Sequence, residues 1–404
     1  MNGVRFKLSA MMFLEFFIWG AWLPKIFGYL KFLGFDALQQ GLILNAFALA
    51  SFAAMFFSTQ FADRNFAAQK FLGFSQLVGG VAMLCLTWVT DFWPFFLLLL
   101  VHCLFYVPTI SITNSIAFTH VKDPQKEFGP VRLWGTIGWI AASWPFVFIL
   151  SGDASMAEVR YTYLVAGMAS LALAALSLTL PHTPPKPAAE GAETLAWLEA
   201  MKLLRLPFIL VLFVVTFIDA SVHQGYFIFT DTYLQRIGVS SNWVMPIMSV
   251  GQVAEVGTMA VLGYALKRLG WRYTMTIGIL GHAVRFGMFA LVPYWPVALL
   301  VNMLHGICYA FFFATVYIFV DEFFPKDARS SAQGLFNFQI LGLGPFVASF
   351  LWPSLNTSVF GDDYSGLFLV LSGVALFAAL FLFAFFRPPA KSEAGLKEVA
   401  AAAH

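Results

Sequence analysis

The chain is 404 residues long, 60% apolar and 11% charged, with 47 Phe, 12 Trp, 12 Tyr and a formal net charge of +2. A soluble domain carries about 25% charged residues, so less than half the usual solvating surface is present. Those figures exclude disorder, a nucleic-acid binder and an ordinary cytosolic enzyme, and leave an all-α protein that crosses a membrane many times.

A bilayer-crossing helix needs about 20 mostly apolar residues, and twelve such stretches are predicted. The first, roughly 8–30, holds Glu15 and, four residues on, Trp19. It runs past the length of a signal-peptide core and has no small-residue cleavage site before Pro24, so it counts as span 1. Span 2 (38–61) ends at the charged turn Asp63-Arg64-Asn65. Span 3 (71–90) and span 4 (93–117) meet at Asp91-Phe92-Trp93-Pro94. Span 5 (129–151) opens Val131-Arg132-Leu133-Trp134-Gly135-Thr136-Ile137-Gly138-Trp139. Arg132, Thr136 and Trp139 fall near one helix face: a cation, a hydroxyl and an aromatic platform fit a sugar or base ring. The plainer reading of Arg132 is an interfacial side chain snorkelling to the cytoplasm. Gly135 and Gly138 let a neighbouring helix approach closely. Span 6 (159–180) closes an N-terminal six-helix bundle, residues 1–181. The polar stretch 182–206, opening His182-Thr183-Pro184-Pro185-Lys186-Pro187, reads as a cytoplasmic linker with a surface helix around 194–204.

The C-terminal six-helix bundle is placed at 207–388, with a cytoplasmic tail over 389–404. Span 7 (208–229) carries the polar run Asp219-Ala220-Ser221-Val222-His223-Gln224. Asp219 and His223, at i and i+4, can share a face and a proton, while Gln224 points about 100° away from His223. In span 8 (242–266) Gln252 and Glu255 stand at i and i+3 and offer acceptors and an amide donor to a polyhydroxylated ligand. The alternative for Glu255 is a packing ion pair with Arg285 of span 9 (273–292). Spans 10 (295–320), 11 (331–353) and 12 (365–386) complete the set.

A charge at helix centre costs about 2.5–3.5 kcal/mol, so Glu15, Arg132, Asp219, Glu255 and Arg285 each need a reason. Carboxylates and imidazoles in such places are the groups that can exchange a proton near neutrality. Glu255, Asp219, His223, His305 and Glu15 are therefore the proton-coupling candidates, with Glu15 equally open to a structural role. His102 and His282 also sit within spans. Cys85, Cys103 and Cys308 are all intramembrane and read as packing residues.

With both termini cytoplasmic, the inner segments hold 17 Lys and Arg and the outer segments four, Lys25, Lys31, Arg160 and Arg236, leaving Arg132 and Arg285 within spans. That asymmetry sets the orientation. The two halves also repeat. Thr59 to Arg64 follows span 2 and Gly263 to Gly270 follows span 8, each setting a charge–Arg pair (Asp63-Arg64, Lys267-Arg268) four residues beyond a small residue. The second resembles the G-x-x-x-[DK]-R-x-G loop of the major facilitator superfamily, where it packs a helix end and pairs with acids during gating. Two six-span halves related by an axis along the membrane normal describe a secondary transporter with a midplane substrate site between the halves and alternating access. No phosphate-binding loop, metal-ligand cluster or nucleophile elbow is present, so an ATP-driven pump, an enzyme, a cofactor and a metal are not expected.

Several stretches together resemble one family of that superfamily. Phe128 to Gly138, Phe13-Leu14-Glu15-Phe16 with Trp19-Gly20-Ala21-Trp22, Leu180 to Pro184, Gln252 to Glu255 and Arg329 to Gly334 look like the nucleoside:proton symporters, over essentially the whole chain. The resemblance implies a pocket of Arg132, Thr136 and Trp139, Gln224, Gln252 and Glu255, with His305 and Tyr309 from span 10. It also marks departures: His305, Tyr309 and Ala310 stand where that family has tyrosine, phenylalanine and aspartate, and Phe227 stands for asparagine. Phe227 trades hydrogen bonding for a stacking face, and Ala310 removes one proton carrier. The expectation is a monomeric inner-membrane importer whose partners are a nucleoside or related ring solute, protons and the lipid bilayer, with no nucleic acid. A sugar or glycoside carrier, or an uncoupled facilitator, is the alternative; a membrane receptor is the reading from another class.

Overall fold

The computed structural model describes residues 3–54, 66–122, 124–151, 156–185, 203–324, 332–333 and 335–388. Among them every regular element is helical, as the bilayer demands, because a helix satisfies its own backbone groups where water is absent. In chain order these are α1 (Gly3–Phe32), α2 (Ala37–Ala53), α3 (Ala68–Leu86), α4 (Phe92–His120), α5 (Pro124–Ala141), α6 (Met156–Ser177), α7 (Pro207–Arg236), α8 and α9 (the two arms of Ser241–Leu291), α10 (Trp295–Phe323), α11 (Leu335–Phe360) and α12 (Tyr364–Phe385). Nine helices among the described residues are long and apolar enough to cross a membrane, counting Ser241–Leu291 once; α2 and α5 are not among the nine. The Asp63-Arg64 turn, most of the 182–206 linker, the Arg329 to Ser331 stretch with Gly334, and the 389–404 tail lie outside the described residues.

Local chemistry explains the breaks. Gly34 follows α1 with φ 78°, a region open to glycine. Asp36 then starts α2 with a reciprocal cap: its Oδ1 accepts from Gln39 N at 2.8 Å and Gln39 Oε1 accepts from Asp36 N at 3.0 Å. The helix Ser241–Leu291 turns at Gly270, φ 74°, at the Gly-Trp-Arg break predicted between spans 8 and 9. Two stretches, Tyr309–Ala314 in α10 and Phe338–Leu343 in α11, are wound as π-helix, a local form frequent at functional sites.

The helices pack as two compact units. One comprises residues 1–188 and 227–249, the other 189–226 and 250–404. In the first, α1 packs on α5 and α6, and α3 packs on α4 and α6. Small residues set the approach: Gly73 meets Ser177, and Gly80 meets Ser170. The segment after α6 is tied down. Thr183 N donates to Gln69 Oε1 at 2.9 Å, and Thr183 Oγ1 lies 2.9 Å from His120 Nε2.

Residues 227–249 join the first unit through an ion pair. Lys25, expected among the outer surface cations, is instead fully buried in α1, and its Nζ meets Asp231 Oδ1 at 2.8 Å and Ser241 Oγ at 3.1 Å. Gly28 makes room: a Cβ there would stand 2.8 Å from Asp231 Oδ2. In the second unit α11 and α12 pack against α7. Trp352 Nε1 donates to Ser221 O at 2.8 Å, and Leu371 lies over Gly225.

Candidate functional site

In the first unit, α5 presents its predicted face to α1. Gly138 lies directly on the Phe13 carbonyl and Gly135 on the Phe16 ring, so any larger residue would push the two helices apart. That contact seats Arg132 with its guanidinium carbon 3.9 Å from the centroid of Phe16, a cation–π distance. Trp139 stands edge-on to Trp19 at 5.2 Å, and Trp19 stacks on Phe47 at 4.8 Å and 8°. Arg132, Thr136 and Trp139 are all half-buried. The result is an aromatic wall with a cation and a hydroxyl beside it, which can hold a flat heterocycle and an electronegative edge.

Glu15 lies one residue before Phe16 but belongs to a different set. It is fully buried and accepts from Thr109 Oγ1 at 2.7 Å and from Gln76 Nε2 at 3.0 Å; Ser170 Oγ donates to Gln76 Oε1 at 2.6 Å. Its backbone carbonyl accepts from Tyr106 at 2.5 Å. This polar network joins α1, α3, α4 and α6, which sequence reasoning did not find. His102 is likewise internal, with Nδ1 3.0 Å from Gly79 O and its ring stacked on Tyr106. Cys103 is buried and Cys85 exposed, both as free thiols.

In the second unit, α8 and α10 approach closely. Gly306 has no side chain because the Glu255 backbone occupies the space, and a Cβ on Gly251 would stand 2.8 Å from His305 Cβ. The segments bearing Gln252, Glu255 and His305 are thereby brought close, Gln252 and His305 buried and Glu255 half-buried. Tyr309 follows one turn on, half-buried, its ring 6.1 Å from Phe313. Gln224 and Phe227 are half-buried on α7, Phe227 in the stretch that packs with the first unit.

Arg285 is fully buried and reaches His305 Nδ1 at 2.9 Å, with its guanidinium carbon 4.1 Å above the Tyr226 ring. Asp219 and His223 do come together, but through a third side chain. His282 Nδ1 is 2.8 Å from Asp219 Oδ1, and its Nε2 is 3.1 Å from His223 Nδ1. His282 was noted on sequence only as an intramembrane histidine, and that was its one legible signal. Lys267 and Arg268 are exposed at the α8 end, Arg268 over the Tyr264 ring at 5.4 Å. Among the described residues no three or more His, Cys, Asp or Glu are grouped to hold a metal ion.

Residues 1–391 match the family model described as "Nucleoside H+ symporter". "Putative nucleoside transporter YegT" of Escherichia coli (strain K12) is 34% identical over 388 residues, covering 93% of this chain and 90% of the relative. Xanthosine permease of the same organism is 28% identical over 403 residues, covering 94% and 95%. The crystal structure of the nucleoside transporter NupG superposes with a TM-score of 0.84 at 25% identity, over 96% of this chain and 100% of that one. By a match that runs through both units, the chain belongs to the nucleoside H+ symporter family.

Proposed function

We propose a residue-level account of the proton-coupled nucleoside uptake that this family performs. The base lies against Trp139 and Trp19, with Arg132 and Thr136 at its polar edge and Phe227 as a further stacking face. Gln224, Gln252 and Glu255 take the ribose hydroxyls, and His305 and Tyr309 complete the polar wall. The observation that carries this reading is the pair of glycine contacts, Gly251 against His305 and Gly306 against the Glu255 backbone, which bring the segments bearing Gln252, Glu255 and His305 into close approach. A helix packed only for stability has no reason to gather an amide, a carboxyl and an imidazole there.

The proton-sensitive positions are Glu255, Asp219 and His223, with His305 and Glu15 as their reserve. The twelve helical stretches are twelve crossings, arranged as bundles 1–181 and 207–388 of the major facilitator type. The linker 182–206, both termini and the 389–404 tail face the cytoplasm, and the protein is a monomer in the inner membrane. Lys267-Arg268, with Asp63-Arg64 in its repeat, forms the inner gating turn, and Arg285 braces the polar wall. An inward gradient drives uptake, each proton moved across 100 mV being worth about 2.3 kcal/mol.

The test is uptake of uridine, xanthosine and several sugars into proteoliposomes, with and without an inward proton gradient. Nucleoside accumulation that depends on the gradient is expected. Nucleoside uptake indifferent to the gradient sinks the coupling, and competition by sugars alone sinks the substrate class. Glu255→Gln is expected to cut uptake about tenfold or more, the loss of one hydrogen bond to a charged group.

A further inference from the structure

Asp219, His282 and His223 form a chain of two hydrogen bonds that crosses from α7 to α9 and back. A neutral imidazole has one donor nitrogen and one acceptor nitrogen, which fixes the direction of that chain. When Asp219 is ionised, His282 Nδ1–H donates to Oδ1, so its Nε2 must accept, and His223 must donate from Nδ1. When the carboxyl is protonated, both bonds are satisfied in reverse: Asp219 O–H donates to His282 Nδ1, and His282 Nε2–H donates to His223 Nδ1. The same heavy-atom positions therefore serve both states.

Burial is graded along the chain. His223 is half-buried, whereas His282 and Asp219 have no exposure. Asp219 Oδ2 has no hydrogen-bond partner among the described residues, an arrangement that favours a neutral acid over a lone carboxylate. Its counter-charge is Arg285, one turn beyond His282 on α9. The other titratable neighbours are Tyr226 on α7 and His305 and Cys308 on α10, where a Cβ on Gly281 would stand 2.8 Å from Cys308 Sγ. Glu255 of α8 packs beside Gly306. The described part of α11 brings no ionisable side chain, and α12 brings only Tyr364 at its start. His305 differs from His223 in one respect. A guanidinium can only donate, so His305 Nδ1 accepts from Arg285, and His305 is neutral with its proton on Nε2 while that bond holds.

We propose that Asp219, His282 and His223 are a proton-binding relay, with His282 the positioning residue that lets a proton received at His223 be held on Asp219. A proton adds to His223 Nε2; the His223 Nδ1–H bond breaks as His282 Nε2–H forms; the His282 Nδ1–H bond breaks as Asp219 Oδ1–H forms. One proton is gained, no other bond changes, and release runs the steps backwards. Protonation removes the negative charge whose field acts on Arg285, and Arg285 is hydrogen-bonded to His305 at 2.9 Å, so the state of the relay is felt at the proposed solute wall.

The uptake arm of the test rests on the transport reading above; the spectroscopic arm does not. Solid-state NMR of the histidine-labelled protein in lipid bilayers reads tautomers from the ring nitrogens, with His282 assigned through its proximity to the Asp219 carboxyl carbon. From about pH 8 to about pH 5, His282 is expected to pass from Nδ1–H to Nε2–H; an unchanged tautomer overturns the relay, whatever solute is carried. In proteoliposomes, His282→Gln is expected to abolish the ratio of gradient-driven to gradient-free uptake, a loss of about tenfold per pH unit of gradient for one coupled proton. If His282→Gln lowers both uptakes alike and leaves that ratio intact, His282 is merely structural and the proposal falls. A wild-type protein that carries no nucleoside fails the transport reading alone.

Discussion

Lys25 and Asp231 are tolerable inside the protein only because of each other. Both have no solvent exposure, and Nζ and Oδ1 are 2.8 Å apart. Removing one partner from a buried pair costs about 3–5 kcal/mol, whereas replacing both by apolar residues of similar volume is often neutral. Lys25→Met is therefore expected to lower the unfolding temperature in detergent well below wild type, and Lys25→Met with Asp231→Leu to recover most of the loss. A single variant as stable as wild type would show that the pair bears no load. Glu15 poses a different problem, because Thr109 and Gln76 already donate one hydrogen bond to each of its carboxylate oxygens. Glu15→Gln turns an acceptor into a donor facing donors. It should cost about 1–3 kcal/mol of stability, while the ratio of gradient-driven to gradient-free uptake stays put. A collapse of that ratio would instead make Glu15 a proton carrier.

Between elements, the decisive residues are those with no side chain. Gly138 touches the Phe13 carbonyl and Gly306 the Glu255 backbone, whereas Gly257 and Gly263 meet nothing within 4 Å. Overpacking costs about 1–3 kcal/mol, so Gly138→Val and Gly306→Val should each destabilise by that order. Gly306→Val should also weaken nucleoside binding, because it moves Glu255 away from His305. Gly257→Ala is the control: an open helix-interior glycine gains up to about 1 kcal/mol on replacement. A thermal-shift series over the three variants checks the ranking. The same contacts explain what the sequence made legible. The apolar runs, the Gly270 break and the shared face of Arg132, Thr136 and Trp139 follow from helix period and turn chemistry within one segment. The bonds from His282 to Asp219, from Arg285 to His305 and from Lys25 to Asp231 depend on which helices become neighbours and how each is rotated. No single segment encodes that. Only the cost of an intramembrane charge marked Asp219 and Arg285, and nothing marked Asp231, which lies beyond the end predicted for span 7.

At the scale of the whole chain, charge bears on orientation and aromatic residues on the membrane interfaces. The proposed topology leaves 17 Lys and Arg on the cytoplasmic side and four on the outer side, and burial of Lys25 sharpens that asymmetry, since one of the four outer cations no longer counts as a surface charge. Besides Trp134 within α5, five exposed tryptophans occupy alternate connections: Trp88 and Trp93 between α3 and α4, Trp144 after α5, Trp243 at the start of α8 and Trp295 at the start of α10. In the proposed topology all five stand on the outer side, where indole rings anchor at the lipid headgroups. Only the cationic turns distinguish the two sides, because indole and phenol rings anchor at either interface, and Tyr264 and Tyr273 are exposed beside the Gly270 turn. Fusions after His404 test the orientation. Green fluorescent protein, which folds in the cytoplasm, should fluoresce there, and alkaline phosphatase, which needs periplasmic disulfides, should be inactive. Fusions truncated after Trp93 or Trp295 should show the reverse. An active phosphatase at the C-terminus would invert the topology and, with it, the assignment of the Lys267-Arg268 turn to the inner gate.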